Sequence, residues 1–180
     1  TSDPEARNRY RSTQAHNVLS INGAEQNRIP DTLFGMPDET ETRVVEYEKN
    51  AIEAAHRGFR SPGRSGMECG RRFEVESEGL RIRDRVDGLR RGDRLTWWLH
   101  LAPGLKAVAE GDCRRVVEQD DETRRCTVSP PRGAQVTSEP FAHSPSYGVF
   151  EDALALVFTL VIEDAADNGS FEWSISWADG

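Results

Sequence analysis

Few residues in this chain can do chemistry, and the densest group lies near its start. Tyr10-Arg11-Ser12-Thr13-Gln14-Ala15-His16-Asn17 puts a phenol, a guanidinium, an imidazole and an amide within eight positions. An imidazole can act as a general base, a hydrogen-bond donor or a metal ligand. A lone histidine at the start of a strand can equally be a packed structural residue. Both readings stay open for His16 on the residues alone. The other histidines, His56, His100 and His143, are widely scattered. There is no Gly-x-Ser-x-Gly elbow to support a Ser-His-Asp set. No HxH, HExxH or Cys/His cluster offers metal ligands at close spacing, and no glycine loop could cradle phosphate. The paired carboxylates Asp120-Asp121 and Glu163-Asp164 sit where turns are expected and read as solvated charge.

Composition narrows the classes further. The 180 residues fit one domain with a sizeable core. Net charge is −8, which argues against a general nucleic-acid binder. No apolar stretch reaches the roughly 18 residues of a membrane span. Lysine occurs only at Lys49 and Lys106, so nearly all cationic groups are arginines. Their planar forks suit carboxylate and sulfate groups. The three cysteines, Cys69, Cys113 and Cys126, leave one thiol unpaired in any disulfide scheme. A Cys113–Cys126 bridge across a hairpin is one arrangement to test.

The elements that must position these groups read as strands. Alternation dominates in Phe73–Glu76, Leu80–Val86 and Phe171–Trp177. Arg43 to Ala55 reads as strand, turn, strand; Asp38 to Glu53 is the best helical candidate, and its β-branched pairs count against it. Leu95 to Leu101, Ala107–Ala109, Arg114–Glu118 and Thr127-Val128 add further strands. Ala153 to Ile162 is apolar on both faces, as a central, doubly covered strand would be. Asn22-Gly23 suits a tight turn, Gly58 to Gly66 reads as a loop, and the residues before Ser12 read as an Arg-rich loop. The expectation is an all-β fold, a large antiparallel β-sandwich of the supersandwich kind with little helix.

Two surface features have competing readings. Arg81, Arg83 and Arg85 share one strand face and could form a polyanion stripe. Pairing with Glu74, Glu76 and Glu78 on the neighbouring strand is the favoured alternative. The tryptophans could stack on sugars, but Trp173 and Trp177 share a face with Phe171 and Ile175, which favours core packing. Trp98 shares its face with His100, and its role stays open.

Several stretches together resemble the heparinase II/III-like polysaccharide lyases. They are Tyr10-Arg11-Ser12-Thr13 with Ala15-His16-Asn17, Asn22-Gly23 with Gln26, Arg81 to Gly88, Leu99-His100-Leu101-Ala102-Pro103-Gly104, and Ser144-Pro145-Ser146-Tyr147-Gly148. The resemblance spans residues 1–180 and implies the C-terminal β-sandwich domain of such a lyase, cut at its N-terminal edge. It implies β-elimination at uronic acids of acidic polysaccharides such as the glycosaminoglycan heparan sulfate or alginate. A base takes the C5 proton, an acid protonates the leaving O4, and neutralising groups stabilise the carboxylate's developing charge. The resemblance places the catalytic groups on a preceding α-helical toroid and an upstream His-x-His segment. No catalytic residue therefore maps onto this chain, and the chain alone is not expected to be catalytically competent.

The same resemblance maps one metal ligand onto His16, in a zinc site completed by an upstream His and Asp. A lone imidazole does not make a selective site, so this chain alone is expected to bind no metal tightly. Tyr10, Arg11 and Asn17 are candidates for the substrate cleft. A bacterial, periplasmic or secreted location is expected, with the helical toroid and an acidic polysaccharide as partners. An exposed sheet edge is expected to favour self-association. A carbohydrate-binding or structural sandwich without chemistry is the alternative.

Overall fold

The fold is given by a computed structural model that describes residues 4–32, 35–59, 67–146, 148–164 and 169–178. Most of the expected 58–66 loop, and Tyr147, lie outside the described residues. After helix α1 (Pro4–Arg11) and a 3-10 turn at Thr13–Ala15, the described elements are strands. They are β1 (Leu19–Ile21), β2 (Arg43–Tyr47), β3 (Ala51–His56), β4 (Glu68–Glu76), β5 (Gly79–Asp87) and β6 (Arg94–His100). The chain continues through β7 (Leu105–Glu110), β8 (Cys113–Glu118), β9 (Arg124–Ser129), β10 (Gln135–His143), β11 (Glu151–Val161) and β12 (Ser170–Trp177). Among the described residues no helix is long and apolar enough to cross a membrane.

Two antiparallel sheets face each other. The smaller has the order β1-β6-β11-β10, and the larger β2-β3-β4-β5-β12-β9-β8-β7. The expected β-sandwich is therefore what the chain forms. Alternation decides which side chains enter the core. Leu95, Trp97 and Leu99 of β6 and Leu156 and Phe158 of β11 meet Ile82, Val86, Val116, Val128 and Trp173. Trp97 packs edge-on against Phe171 with ring centroids 5.4 Å apart, and Phe158 against Trp173 at 5.7 Å. Burial of each such side chain contributes about 1.5–3 kcal/mol. β11 lies inside its sheet between β6 and β10, and its run from Ala153 to Phe158 is almost wholly buried. The N-terminal segment lies over the outward face of this smaller sheet, because Tyr10, Ser12, Gln14 and Ala15 share a groove with Trp98, His100, Ala153 and Ala155.

Two local expectations need correction, and one ambiguity is resolved. Residues 4–11 are helical rather than loop: Pro4 suits the first turn, and Glu5 and Arg9/Arg11 match the helix dipole at opposite ends. The strand, turn, strand reading of Arg43 to Ala55 holds: β2 pairs with β3, in keeping with its β-branched residues. Trp177, expected in the core, is 48% exposed, because it lies at the end of β12, while Trp173 is buried. The Cys113–Cys126 bridge is also absent. Register places Cys126 opposite Val116, and all three thiols are free. Burial pushes the Cys69 thiol up to about 12, which keeps it unreactive.

The arginine face of β5 is paired. Arg81 meets Glu76 at 2.8 Å, Arg83 meets Glu172 at 3.1 Å, and Arg85 approaches Glu68 at 3.6 Å. The ion-pair reading holds at Glu76, but the other partners are Glu68 and Glu172, while Glu74 pairs with Arg72 instead. Asn22 and Gly23 both have positive φ (54° and 68°), as a tight turn requires. Asn22 also binds the buried Asp93 through its amide at 2.9 Å. Gly79 is obligatory for another reason: a Cβ there would sit 2.2 Å from the Ile175 carbonyl.

Candidate functional site

The chemistry-bearing N-terminal stretch borders a cleft of about 580 Å3 between the N-terminal segment and strands β3 to β5. Tyr10, Arg11 and His16 line it together, so three of the four candidates share one site. Asn17 is turned elsewhere. Its Oδ1 accepts from the His100 backbone N–H at 2.8 Å and lies 2.9 Å from His100 Nδ1. An amide oxygen can only accept, so Nδ1 carries the imidazole proton. This clamp joins Ala15-His16-Asn17 to the Leu99-His100-Leu101 stretch, which is far away in sequence.

The clamp is anchored in the core. Arg71 Nη1 donates to the Asn17 carbonyl at 2.7 Å, while its Nε and Nη2 donate to Asp84 at 2.6 and 3.0 Å. Asp84 also accepts from the indoles of Trp97 and Trp173 at 2.8 and 3.0 Å. A carboxylate with only 2% exposure is thus satisfied by four donors. On the other side of His16, its backbone N–H donates to the Thr13 carbonyl. Thr13 in turn donates to Glu25 through its backbone N–H at 2.6 Å and its hydroxyl at 2.7 Å. The backbone on both sides of His16 is pinned, and its imidazole stands exposed at the cleft.

The other two candidates are also held. Tyr10 donates its hydroxyl to the Ala142 carbonyl at 3.2 Å and stacks on Phe150. Arg11 donates to the Thr32 and Gly35 carbonyls at 3.1 and 2.8 Å. The sequence reading missed His56, which ends β3 and lines the same cleft. Its Nδ1 accepts from the Gly58 N–H at 3.0 Å. Burial, followed by the Arg71 charge, lowers its pKa, against weaker raising effects from Asp84 and Glu68. His100 is lowered mainly by burial and next by the neighbouring His16, with the Gln14 carbonyl acting the other way. Its Nε2 is buried without a hydrogen-bond partner.

Residues 1–176 match the family described as heparinase II/III-like, C-terminal. The chain belongs to that family. Solved structures similar to this heparinase II/III-like domain include heparan sulfate lyase HepC from Pedobacter heparinus, at 16% identity and a TM-score of 0.74. That likeness covers 98% of this chain and 26% of the lyase. Heparinase III, the BT4657 gene product, is similar at 17% identity and TM-score 0.67, covering 98% of this chain and 25% of that one. A further heparinase III structure gives 16% identity and 0.66, covering 99% and 26%. The heparinase II/III-like chain therefore spans about a quarter of the lyases it matches, and at these identities the likeness establishes the fold. No curated protein sequence matches it.

The donor set present does not fit the zinc that the family resemblance implies at His16. Among the described residues no group of three or more His, Cys, Asp or Glu side chains could hold a metal ion. His16 contributes one imidazole, and His56 has its Nδ1 committed to Gly58.

Proposed function

We propose that this domain serves as the C-terminal sandwich of a bacterial, exported polysaccharide lyase that cleaves uronate-containing glycans by β-elimination. The family match over residues 1–176 carries this reading. The cleft adds support, because Tyr10, Arg11, His16 and His56 border one cavity on a rigid sheet. In the proposed enzyme a helical toroid supplies the base and acid, and this cleft forms the sandwich-side wall for the acidic chain. Tyr10 and Arg11 fix that wall by holding α1 to β10 and to the Thr32 and Gly35 carbonyls. His16 becomes a zinc ligand only if an upstream His and Asp complete the set.

The test is to express the protein with the chain encoded ahead of Thr1 and incubate it with heparan sulfate, alginate and other uronate polymers. The expected result is ultraviolet absorbance from unsaturated uronate ends, with none from the 180-residue chain alone. No cleavage of any acidic glycan by the longer protein would favour a carbohydrate-binding or structural sandwich instead.

A further inference from the structure

His56 is held with more structural investment than a packing residue requires. The Gly58 N–H donates to Nδ1, and this close approach needs glycine: a Cβ at Gly58 would lie 2.9 Å from Nδ1 and 2.8 Å from the Gln26 carbonyl. The next residue, Phe59, adopts φ of 61°, a conformation that bulky side chains avoid. Phe59 is nevertheless buried, and its ring packs against the His56 imidazole with centroids 5.7 Å apart. Strained backbone, an obligatory glycine and a ring contact therefore converge on one imidazole. Strain of this kind persists where the surroundings over-determine it, and it clusters at ligand sites.

The chemical result is specific. With Nδ1 accepting, the proton of the neutral ring sits on Nε2. Burial and the Arg71 charge favour this neutral form. His56 thus brings a fixed N–H donor to the cleft that His16, Tyr10 and Arg11 also line. Of the other donors there, Arg71 is committed to Asp84 and the Asn17 carbonyl, Arg11 to two carbonyls and Tyr10 to Ala142, whereas the His16 imidazole stands exposed. Among the described residues no partner competes for His56 Nε2–H, so it is available to an acceptor oxygen entering the cleft.

We propose that His56 is a specificity-determining residue whose Nε2–H donates to an anionic oxygen, carboxylate or sulfate, of the glycan in this cleft. The proposal rests on the reading of the domain as part of an acidic-glycan lyase. It is tested by binding rather than cleavage, so the two can fail separately.

The 15N resonances of the histidine rings and the backbone are followed while the protein is titrated with three oligosaccharides. One is sulfated and uronate-bearing, one is uronate-bearing without sulfate, and one is uncharged. The expected result is a neutral Nε2–H tautomer for His56 whose Nε2 signal moves with the acidic ligands and not with the uncharged one. A response to both acidic ligands assigns the acceptor to the carboxylate, and a response to the sulfated one alone assigns it to sulfate. His56→Phe, which keeps the ring shape, should weaken binding roughly ten-fold or more. His56→Gln, which can return an N–H near the same place, should recover most of that loss. If signals of Tyr10, Arg11 and His16 move but His56 Nε2 does not, the proposal is overturned while the cleft survives. If no cleft signal responds to any acidic ligand, the acidic-glycan reading falls with it. Should His56→Phe fail to fold, the titration of the wild-type ring decides alone.

Discussion

Asp84 and three histidines, His16 and His56 in the cleft and His100 in the groove over the smaller sheet, are satisfied to opposite degrees. Asp84 receives four donors from Arg71, Trp97 and Trp173, and nothing about it is left to offer. His56 has one nitrogen engaged and one spare, His100 has a buried nitrogen with no partner, and His16 stands exposed. A fully satisfied buried carboxylate fixes where strands β4, β5, β6 and β12 sit. Of the histidines, His16 and His56 line the cleft and keep the unused capacity that a binding site requires, whereas the spare nitrogen of His100 is buried. Arg71 connects the two regions, since one guanidinium holds both Asp84 and the Asn17 carbonyl. The difference separates residues that hold the fold from residues available to a ligand.

The largest effect is expected where satisfaction is complete. Asp84→Ala leaves the Arg71 charge without its carboxylate and two buried indole N–H groups without an acceptor, so it should cost about 3–5 kcal/mol. Urea unfolding measures this directly. A loss below about 1 kcal/mol would mean that the network contributes no more than a surface pair. Asn17→Ala comes next. It removes the acceptor of two His100 N–H groups while keeping the Arg71 contact to its own carbonyl. The expected cost is about 1–2 kcal/mol, together with movement of the His16 and His100 ring signals. Unchanged ring signals would show that the clamp does not position the histidines.

Much of this contrast was invisible in the sequence, for reasons that differ by residue. The sandwich itself was legible because alternation in Leu80–Val86 and Phe171–Trp177 encodes a buried and an exposed face. That pattern also contained a signal for Asp84, which stands between Ile82 and Val86 on the apolar face. Attention to the arginines at 81, 83 and 85 hid it. Asn17 and His100 are distant in sequence, and only the pairing of β1 with β6 brings their stretches together. His56 carried no spacing signal, because its importance depends on the backbone of Gly58 and Phe59. Tyr10, Arg11 and His16 were marked by residue type, but their shared cleft depends on the packing of α1.

Acid should act on the histidine region through two partly buried rings. The pKa values of His56 and His100 are both lowered by burial. Between those folded values and the ordinary histidine value near 6.5, the unfolded chain binds more protons than the native one. Stability is therefore complete above about pH 7 and falls as pH drops through about 6.5 toward the lowered values. Thermal melts across this range should show the decline, and a double His56→Gln, His100→Gln variant should flatten it. A stability that stayed level down to pH 5, with both histidines present, would contradict the burial of these rings.

The smallest effect on folding is expected at an edge of the larger sheet, three strands away from Asp84. Strand β2 begins the order of the larger sheet, pairs only with β3, and is exposed along its whole length. Val44, Val45 and Tyr47 are 62%, 52% and 80% exposed. An open edge strand with apolar side chains is a template for pairing with another chain. Arg43 and Glu46 interrupt the apolar run, and Arg72 pairs with Glu46 across the strands. These charges limit the edge without closing it. Sedimentation velocity should therefore show association that rises with protein concentration. Val45→Lys should suppress it while changing stability by less than about 0.5 kcal/mol, as befits a surface position. A monomer at every concentration would show that the charges already suffice. A large stability loss in Val45→Lys would instead place β2 within the cooperative core that Asp84 organises.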